Sequence, residues 1–125
     1  MNVRIEVIPH KDQRYETVGD WFFEPNGDIT IRVSKLANWK REMLVAVHEL
    51  VEVLLCKSDH VSQKAVDEFD ILYEKHRSKG DTSEPGDWPD APYARQHCIA
   101  TGIERILAAE LKVCWKDYEA EIEAL

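Results

Sequence analysis

The chain has 125 residues, of which 44% are hydrophobic, and these values predict one globular domain spanning residues 1–125 that needs no disulfide to form a core. Its 24 acidic and 16 basic residues give a net charge of −8, without a cluster of lysine or arginine. This balance argues against nucleic acid and an anionic membrane surface as partners, because both would repel the chain.

The cysteines and the apolar runs bear on the cellular compartment. Three cysteines, an odd number without a Cys-x-x-Cys spacing, indicate a reduced protein rather than a disulfide framework. The chain does not open on a basic and then apolar leader, and no apolar run approaches the roughly 18 residues of a transmembrane helix. We therefore expect a cytoplasmic protein.

The first 35 residues have the patterns of β-structure. Apolar and polar residues alternate from Val3 to Ile8, which is typical of a half-buried strand. Two further extended runs, Thr17 to Glu24 and Asp28 to Val33, flank the pair Asn26-Gly27, which supplies the positive φ angles of a tight hairpin. Residues 1–35 are therefore expected to form a small antiparallel sheet of about three strands.

The remainder, residues 38–125, has helical patterns, with Asn38 and Ser62 as predicted N-caps. The expected elements are a helix from Trp39 to Cys56, a second from Ser62 to Lys79, a loop from Gly80 to Asp90, a third helix from Pro92 to Lys112 and a short terminal helix from Trp115 to Leu125. A sheet followed by three main helices is an α+β fold.

The segment His48-Glu49-Leu50-Val51-Glu52 indicates a metal site in the first helix. Residues four apart share a helix face, so His48 and Glu52 can bind one ion while Glu49 points about 100° away. The flanking residues are almost all apolar, which predicts burial. Buried carboxylates require a partner, and either a metal ion or a tight ion-pair network would provide one. A hydrogen-bonded core histidine with solvated carboxylates is the simpler alternative.

Further ligands are available on the next two helices. Asp67 and Asp70 stand opposite the motif on the second helix, and Asp70 is favoured because it borders the apolar face. On the third helix a polar stripe consists of Tyr93, His97, Thr101 and Glu104. The predicted metal ligands are thus His48, Glu52, Asp70 and His97.

The motif resembles the His-Glu-x-x-His sequence of the zincin metallopeptidases, with Glu52 in the place of the second histidine. In that family the first and last residues bind zinc, and the glutamate takes a proton from the attacking water. The resemblance implies Zn²⁺ as the cofactor, with Glu49 as the catalytic base. It also implies an acidic third ligand on the following helix, for which the candidates are Asp67, Glu68 and Asp70.

The same resemblance extends to the order of elements, because zincins have a small sheet before the motif helix. An edge strand of that sheet binds an extended substrate, and Asp28 to Val33 stands where this strand would be. The Gly80 to Asp90 loop, with Trp88, would then cover the site as a lid. These features imply a hydrolase that acts on a peptide or a small molecule.

Most of the chain also resembles a group of small proteins of phage and prophage origin. The similar segments are Val18 to Phe22, His48 to Glu52 and Ala91 to His97. This second resemblance implies no particular activity.

Two other functions are compatible with the same residues. Glu49-x-x-Glu52 followed by Asp67-x-x-Asp70 resembles the all-α nucleoside triphosphate pyrophosphohydrolases, in which four carboxylates hold Mg²⁺. His48 and the β unit depart from that family. The third possibility is a non-enzymatic protein, whose acidic surface binds a partner and whose metal is structural.

Overall fold

The computed structural model describes all 125 residues. A three-stranded sheet is followed by four α-helices, so the expected α+β fold is confirmed. The strands are β1 (Val3–Ile8), β2 (Gly19–Phe23) and β3 (Ile29–Ser34), and the helices are α1 (Trp39–Ser58), α2 (Gln63–Lys75), α3 (Ala94–Glu110) and α4 (Trp115–Glu123). No helix combines the length and the apolar character needed to cross a lipid bilayer.

The sheet is mixed rather than purely antiparallel. β3 lies in the centre, antiparallel to β2 and parallel to β1. Gly27, with φ of 90°, lies in the predicted hairpin between β2 and β3, but the expected positive φ at Asn26 is wrong. An alternating pattern determines which face of a strand is buried, but it does not determine the direction of the neighbouring strand. The central position of β3 also means that Asp28 to Val33 is not the edge strand that the zincin resemblance implies.

The core lies between one face of the sheet and α1. Ile29, Ile31 and Val33 are at most 1% exposed, and their β-branched side chains suit a strand. α1 packs across β2 and β3 and contributes Leu44 and Val53, which are fully buried. α3 packs along α1 as well. α1 is therefore largely enclosed, as its nearly continuous apolar sequence predicts, and Leu54, at 42% exposure, is the exception in its apolar run.

Both predicted helix caps are confirmed, whereas several helix ends differ from the prediction by two to four residues. The side chains of Asn38 and Ser62 each accept a hydrogen bond of 3.1 Å from the backbone N–H three residues later. α2 ends at Lys75 rather than near Lys79, because Arg77 bonds back to the last turn of α2 and to the loop beyond it. α3 begins at Ala94, two residues later than expected.

Candidate metal centre

α1 places His48 and Glu52 one turn apart on a buried face. His48 is 7% exposed and Glu52 is 4% exposed. His48 Nε2 lies 3.2 Å from Glu52 Oε2. The apolar neighbours Val45 and Val53 anchor this part of the helix in the core. The packing that fixes α1 therefore also fixes the two polar side chains.

His97 joins them from α3. Because α3 packs along α1, the His48 and His97 rings lie with centroids 4.7 Å apart. His97 Nδ1 is 3.2 Å from His48 Nε2 and 3.1 Å from Glu52 Oε2. The three atoms form a nearly equilateral triangle. We call His48, Glu52 and His97 the inner cluster, and it contains three of the four predicted ligands.

Two members of the inner cluster are oriented by hydrogen bonds on their far side. Trp21 Nε1 donates to Glu52 Oε1 at 3.0 Å. His48 Nδ1 lies 2.7 Å from Glu104 Oε1, and Tyr118 OH donates to Glu104 Oε2 at 2.6 Å. With its Nδ1–H donated to Glu104, His48 directs Nε2 towards the centre of the triangle.

Loop carboxylates face the outer nitrogen of His97. Its Nε2 is buried and lies 2.9 Å from Glu84 Oε2 and 3.2 Å from Asp87 Oδ1. Neither contact has the alignment of a hydrogen bond, so the attraction is electrostatic. Both carboxylates belong to the Gly80 to Asp90 loop, the predicted lid.

The contact between this loop and the site is made by Gly86 rather than by Trp88. A Cβ at Gly86 would lie 2.5 Å from the His97 ring, so only a glycine allows the backbone to approach this closely. Trp88 is 49% exposed, and its Nε1 donates to Tyr73 OH at 2.7 Å. Trp88 therefore anchors the loop to α2, and Gly86 is the loop residue that contacts the inner cluster.

Replacing Gly86 by alanine is expected to lower the free energy of unfolding by about 1–3 kcal/mol, because the added Cβ forces the His97 ring to move. Urea denaturation followed by circular dichroism measures this loss. Gly102→Ala on α3 is the matched control, since a Cβ there meets no atom within 4 Å and should stabilise the helix by about 0.5–1 kcal/mol. Equal stability of Gly86→Ala and the wild type would contradict the close packing on His97.

The opposite charges of Glu52 and the two histidines stabilise one another. Burial lowers the pKa of His97, but its contacts with Glu52 and Glu84 outweigh this effect and raise it to about 10. Burial also lowers the pKa of His48, yet Glu104 and Glu52 hold it well above its ordinary value. Burial raises the pKa of Glu52, and the two histidines bring it down to about 2. The ionised Glu52 therefore stabilises the fold above its ordinary pKa, and this stabilisation is lost as the pH falls through about 2.

Glu49 lies beside the inner cluster. Its Oε1 packs against Gly19 of β2, where a Cβ would lie 2.6 Å away. Burial and the nearby charge of Glu52 raise the pKa of Glu49 well above its ordinary value. Glu49 and the inner cluster line the same cleft, which has a volume of about 780 Å³. A raised pKa makes the Glu49 carboxylate a stronger base than an ordinary glutamate.

Asp70, the fourth predicted ligand, does not join the inner cluster. Tyr15 OH donates to one of its oxygens at 3.1 Å, and Tyr93 OH donates to the other. Burial raises the pKa of Asp70 to about 7 in spite of these two bonds. A helical wheel of α2 predicts that Asp70 borders the apolar face. It cannot predict that two tyrosine hydroxyls donate hydrogen bonds to the Asp70 carboxylate.

The two other acidic candidates on α2 also lie elsewhere. Arg14 donates to both oxygens of Asp67 at 3.1 Å and to Asp20 of β2 at 2.7 and 2.9 Å. This bidentate bridge joins α2 to the sheet. Glu68 is exposed and lies 3.8 Å from Lys64. The third member of the inner cluster is a histidine of α3 rather than an acidic residue of α2.

The sequence predicts no role for the residues that orient the inner cluster. Glu104 has a signal, because it lies on the polar stripe of α3 two turns after His97. Trp21 has a weaker signal, as one of several aromatic residues in a strand. No sequence pattern identifies Tyr118 or the loop carboxylates Glu84 and Asp87, because their positions depend on how distant segments of the chain pack.

The chain has no match among protein-family models, curated proteins or solved structures.

Proposed function

We propose that this protein is a zinc-dependent hydrolase of the zincin type, with His48, His97 and Glu52 as the metal ligands and a peptide as its substrate. The observation that carries the proposal is the 3.1–3.2 Å triangle of ligand atoms. Zinc at its usual 2.0–2.1 Å from nitrogen and oxygen, with tetrahedral angles, separates its ligands by about 3.3 Å. Little movement of these side chains is needed to bind the ion.

The chemistry of the donors also supports zinc. Two imidazoles and one carboxylate form a donor set known from catalytic zinc sites that keep one open position. The contacts of His48 with Glu104, of Glu52 with Trp21 and of His97 with the loop carboxylates are the outer interactions that orient metal ligands. When bound, zinc would polarise a substrate carbonyl and make water more acidic.

Glu49 is the proposed general base. It follows a ligand in the chain and lines the same cleft, and its raised pKa increases its affinity for a proton at neutral pH. In the proposed reaction the Glu49 carboxylate takes a proton from the attacking water. It then delivers that proton to the departing amine of the peptide.

The edge of the sheet beside the cleft favours a peptide. β2 is an edge strand, and Gly19, Asp20 and Trp21 line the cleft together with Glu49. An extended peptide that pairs with a strand edge presents its backbone carbonyl groups in a regular row. β2 therefore takes the role that the zincin resemblance assigns to Asp28 to Val33.

The pyrophosphohydrolase alternative has less support from the geometry. Its four carboxylates do not converge, because Asp67 pairs with Arg14 and Asp70 binds two tyrosines. The cleft is lined by many carboxylates, and its one arginine, Arg77, is paired with Glu74. Such a lining would repel a triphosphate.

Elemental mass spectrometry on protein purified without an affinity tag tests the proposal. We expect close to one zinc per chain, and cleavage of an unstructured protein substrate that stops with a chelator and returns with zinc. Absence of any transition metal after incubation with zinc would contradict the metal site. Bound zinc with no hydrolysis in a broad peptide screen would contradict the enzymatic function alone.

Zinc binding near pH 7 is expected to release about two protons. Because the pKa values of His48 and His97 are raised, both rings hold a proton that the metal must displace. The apparent affinity should therefore rise with pH, by up to about 100-fold per pH unit below both pKa values. Calorimetry in buffers of different ionisation enthalpy measures the number of protons, and a value near zero would contradict this protonation state.

A further inference from the structure

The outer edge of β1 is an unpaired strand edge. β1 bonds only to β3, and α1 packs across β2 and β3. The apolar side chains Val3, Ile5 and Val7 are 41%, 42% and 38% exposed. They are the register partners of Ile29, Ile31 and Val33 and lie on the same face of the sheet. α1 covers this face over β2 and β3 but leaves it exposed over β1.

We propose that β1 pairs antiparallel with β1 of a second copy of this chain, around a two-fold axis at Ile5. The two sheets would then form one continuous sheet of six strands. In this arrangement Ile5 lies opposite Ile5 of the other copy, and Val3 lies opposite Val7. Isologous pairing of this kind closes at a dimer.

The backbone of β1 supports this pairing. The carbonyl of Asn2 accepts a hydrogen bond from Ile29 N–H of β3, and that of Ile8 accepts one from Lys35 N–H, directly after β3. The even-numbered residues of β1 therefore direct their backbone groups inwards. The N–H and C=O groups of Val3, Ile5 and Val7 consequently point outwards. With Ile5 on the axis, these outward groups face one another and form closely spaced hydrogen-bonded pairs.

The charges of β1 select the same register. Arg4 and Glu6 flank Ile5, so a two-fold axis at Ile5 places each arginine opposite a glutamate of the other copy. An axis at Arg4 would place two arginines together, and an axis at Glu6 would place two glutamates together. Opposite charges directly across a strand pair stabilise it, and like charges destabilise it. The sequence is therefore complementary to itself in one register.

Sedimentation velocity over a wide range of concentrations tests the pairing. We expect the wild type to form a dimer. Ile5→Pro should shift it to a monomer, because proline removes the central outward N–H but leaves the bonds from β1 to β3 intact. The proline variant should keep the zinc content of the wild type, since Ile5 does not line the cleft that holds the inner cluster.

A charge exchange provides the matched control. Arg4→Glu alone and Glu6→Lys alone place like charges across the axis, and each should raise the dimer dissociation constant by about tenfold or more. An equimolar mixture of the two variants restores opposite charges at both positions and should form a heterodimer. A wild type that stays monomeric, or a dimer that Ile5→Pro and the charge variants leave unchanged, would overturn the proposal.

Discussion

Glu52→Ala is expected to abolish zinc binding at concentrations that saturate the wild type. Glu52 Oε2 forms two sides of the ligand triangle, and no other carboxylate completes a three-residue group with His48 and His97. Elemental analysis and competition with a fluorescent chelator measure the loss. Full zinc content in Glu52→Ala would contradict the proposed coordination.

Two further variants separate metal binding from folding. Glu52→Gln keeps the size of the side chain and an oxygen for the Trp21 N–H, so circular dichroism should show a folded protein that binds zinc poorly. Tyr118→Phe removes only the hydrogen bond to Glu104 and should weaken zinc binding by about 10–100-fold, as is usual for an outer partner. If Tyr118→Phe lost more zinc affinity than Glu52→Gln, the assignment of Glu52 as a ligand and of Tyr118 as an outer partner would be wrong.

Glu49→Gln is expected to reduce peptide hydrolysis by about 10²–10⁴-fold while the zinc content stays at the wild-type level. The amide keeps the shape of the side chain that packs against Gly19, but it cannot accept the proton of water. Hydrolysis of a zinc-dependent substrate, measured at equal metal loading, tests this expectation. Equal rates for the two proteins would remove Glu49 from the mechanism, and a simultaneous loss of zinc would make it a ligand instead.

The sequence predicts much of the inner cluster because α1 offers few polar residues that could form a buried site. A helix that is apolar around most of its circumference must be enclosed, and polar side chains inside it need partners. His48 and Glu52 follow from this requirement and from the period of the helix. His97 follows less directly, from its place on a polar stripe of α3.

The choice between His97 and Asp70 could not be predicted from sequence. Both lie on helix faces directed towards the interior, and the difference arises from how far each helix stands from α1. α3 packs close enough for two imidazole rings to touch, whereas Tyr15 and Tyr93 occupy the carboxylate of Asp70. The direction of β1 relative to β3 could not be predicted for a related reason. It depends on the path of the segment between β1 and β2, whose sequence has no strand or helix pattern.

The inner cluster draws its residues from helices far apart in sequence, at 48 and 52 on α1 and at 97 on α3. Its triangle exists only when α3 has docked on α1, so an ion held there binds the folded chain and not the unfolded one. By mass action, free zinc at 100 times its dissociation constant would add about 2.7 kcal/mol to the stability of the fold. The folded fraction, and with it the protein's resistance to proteolysis, would then follow the zinc supply of its surroundings.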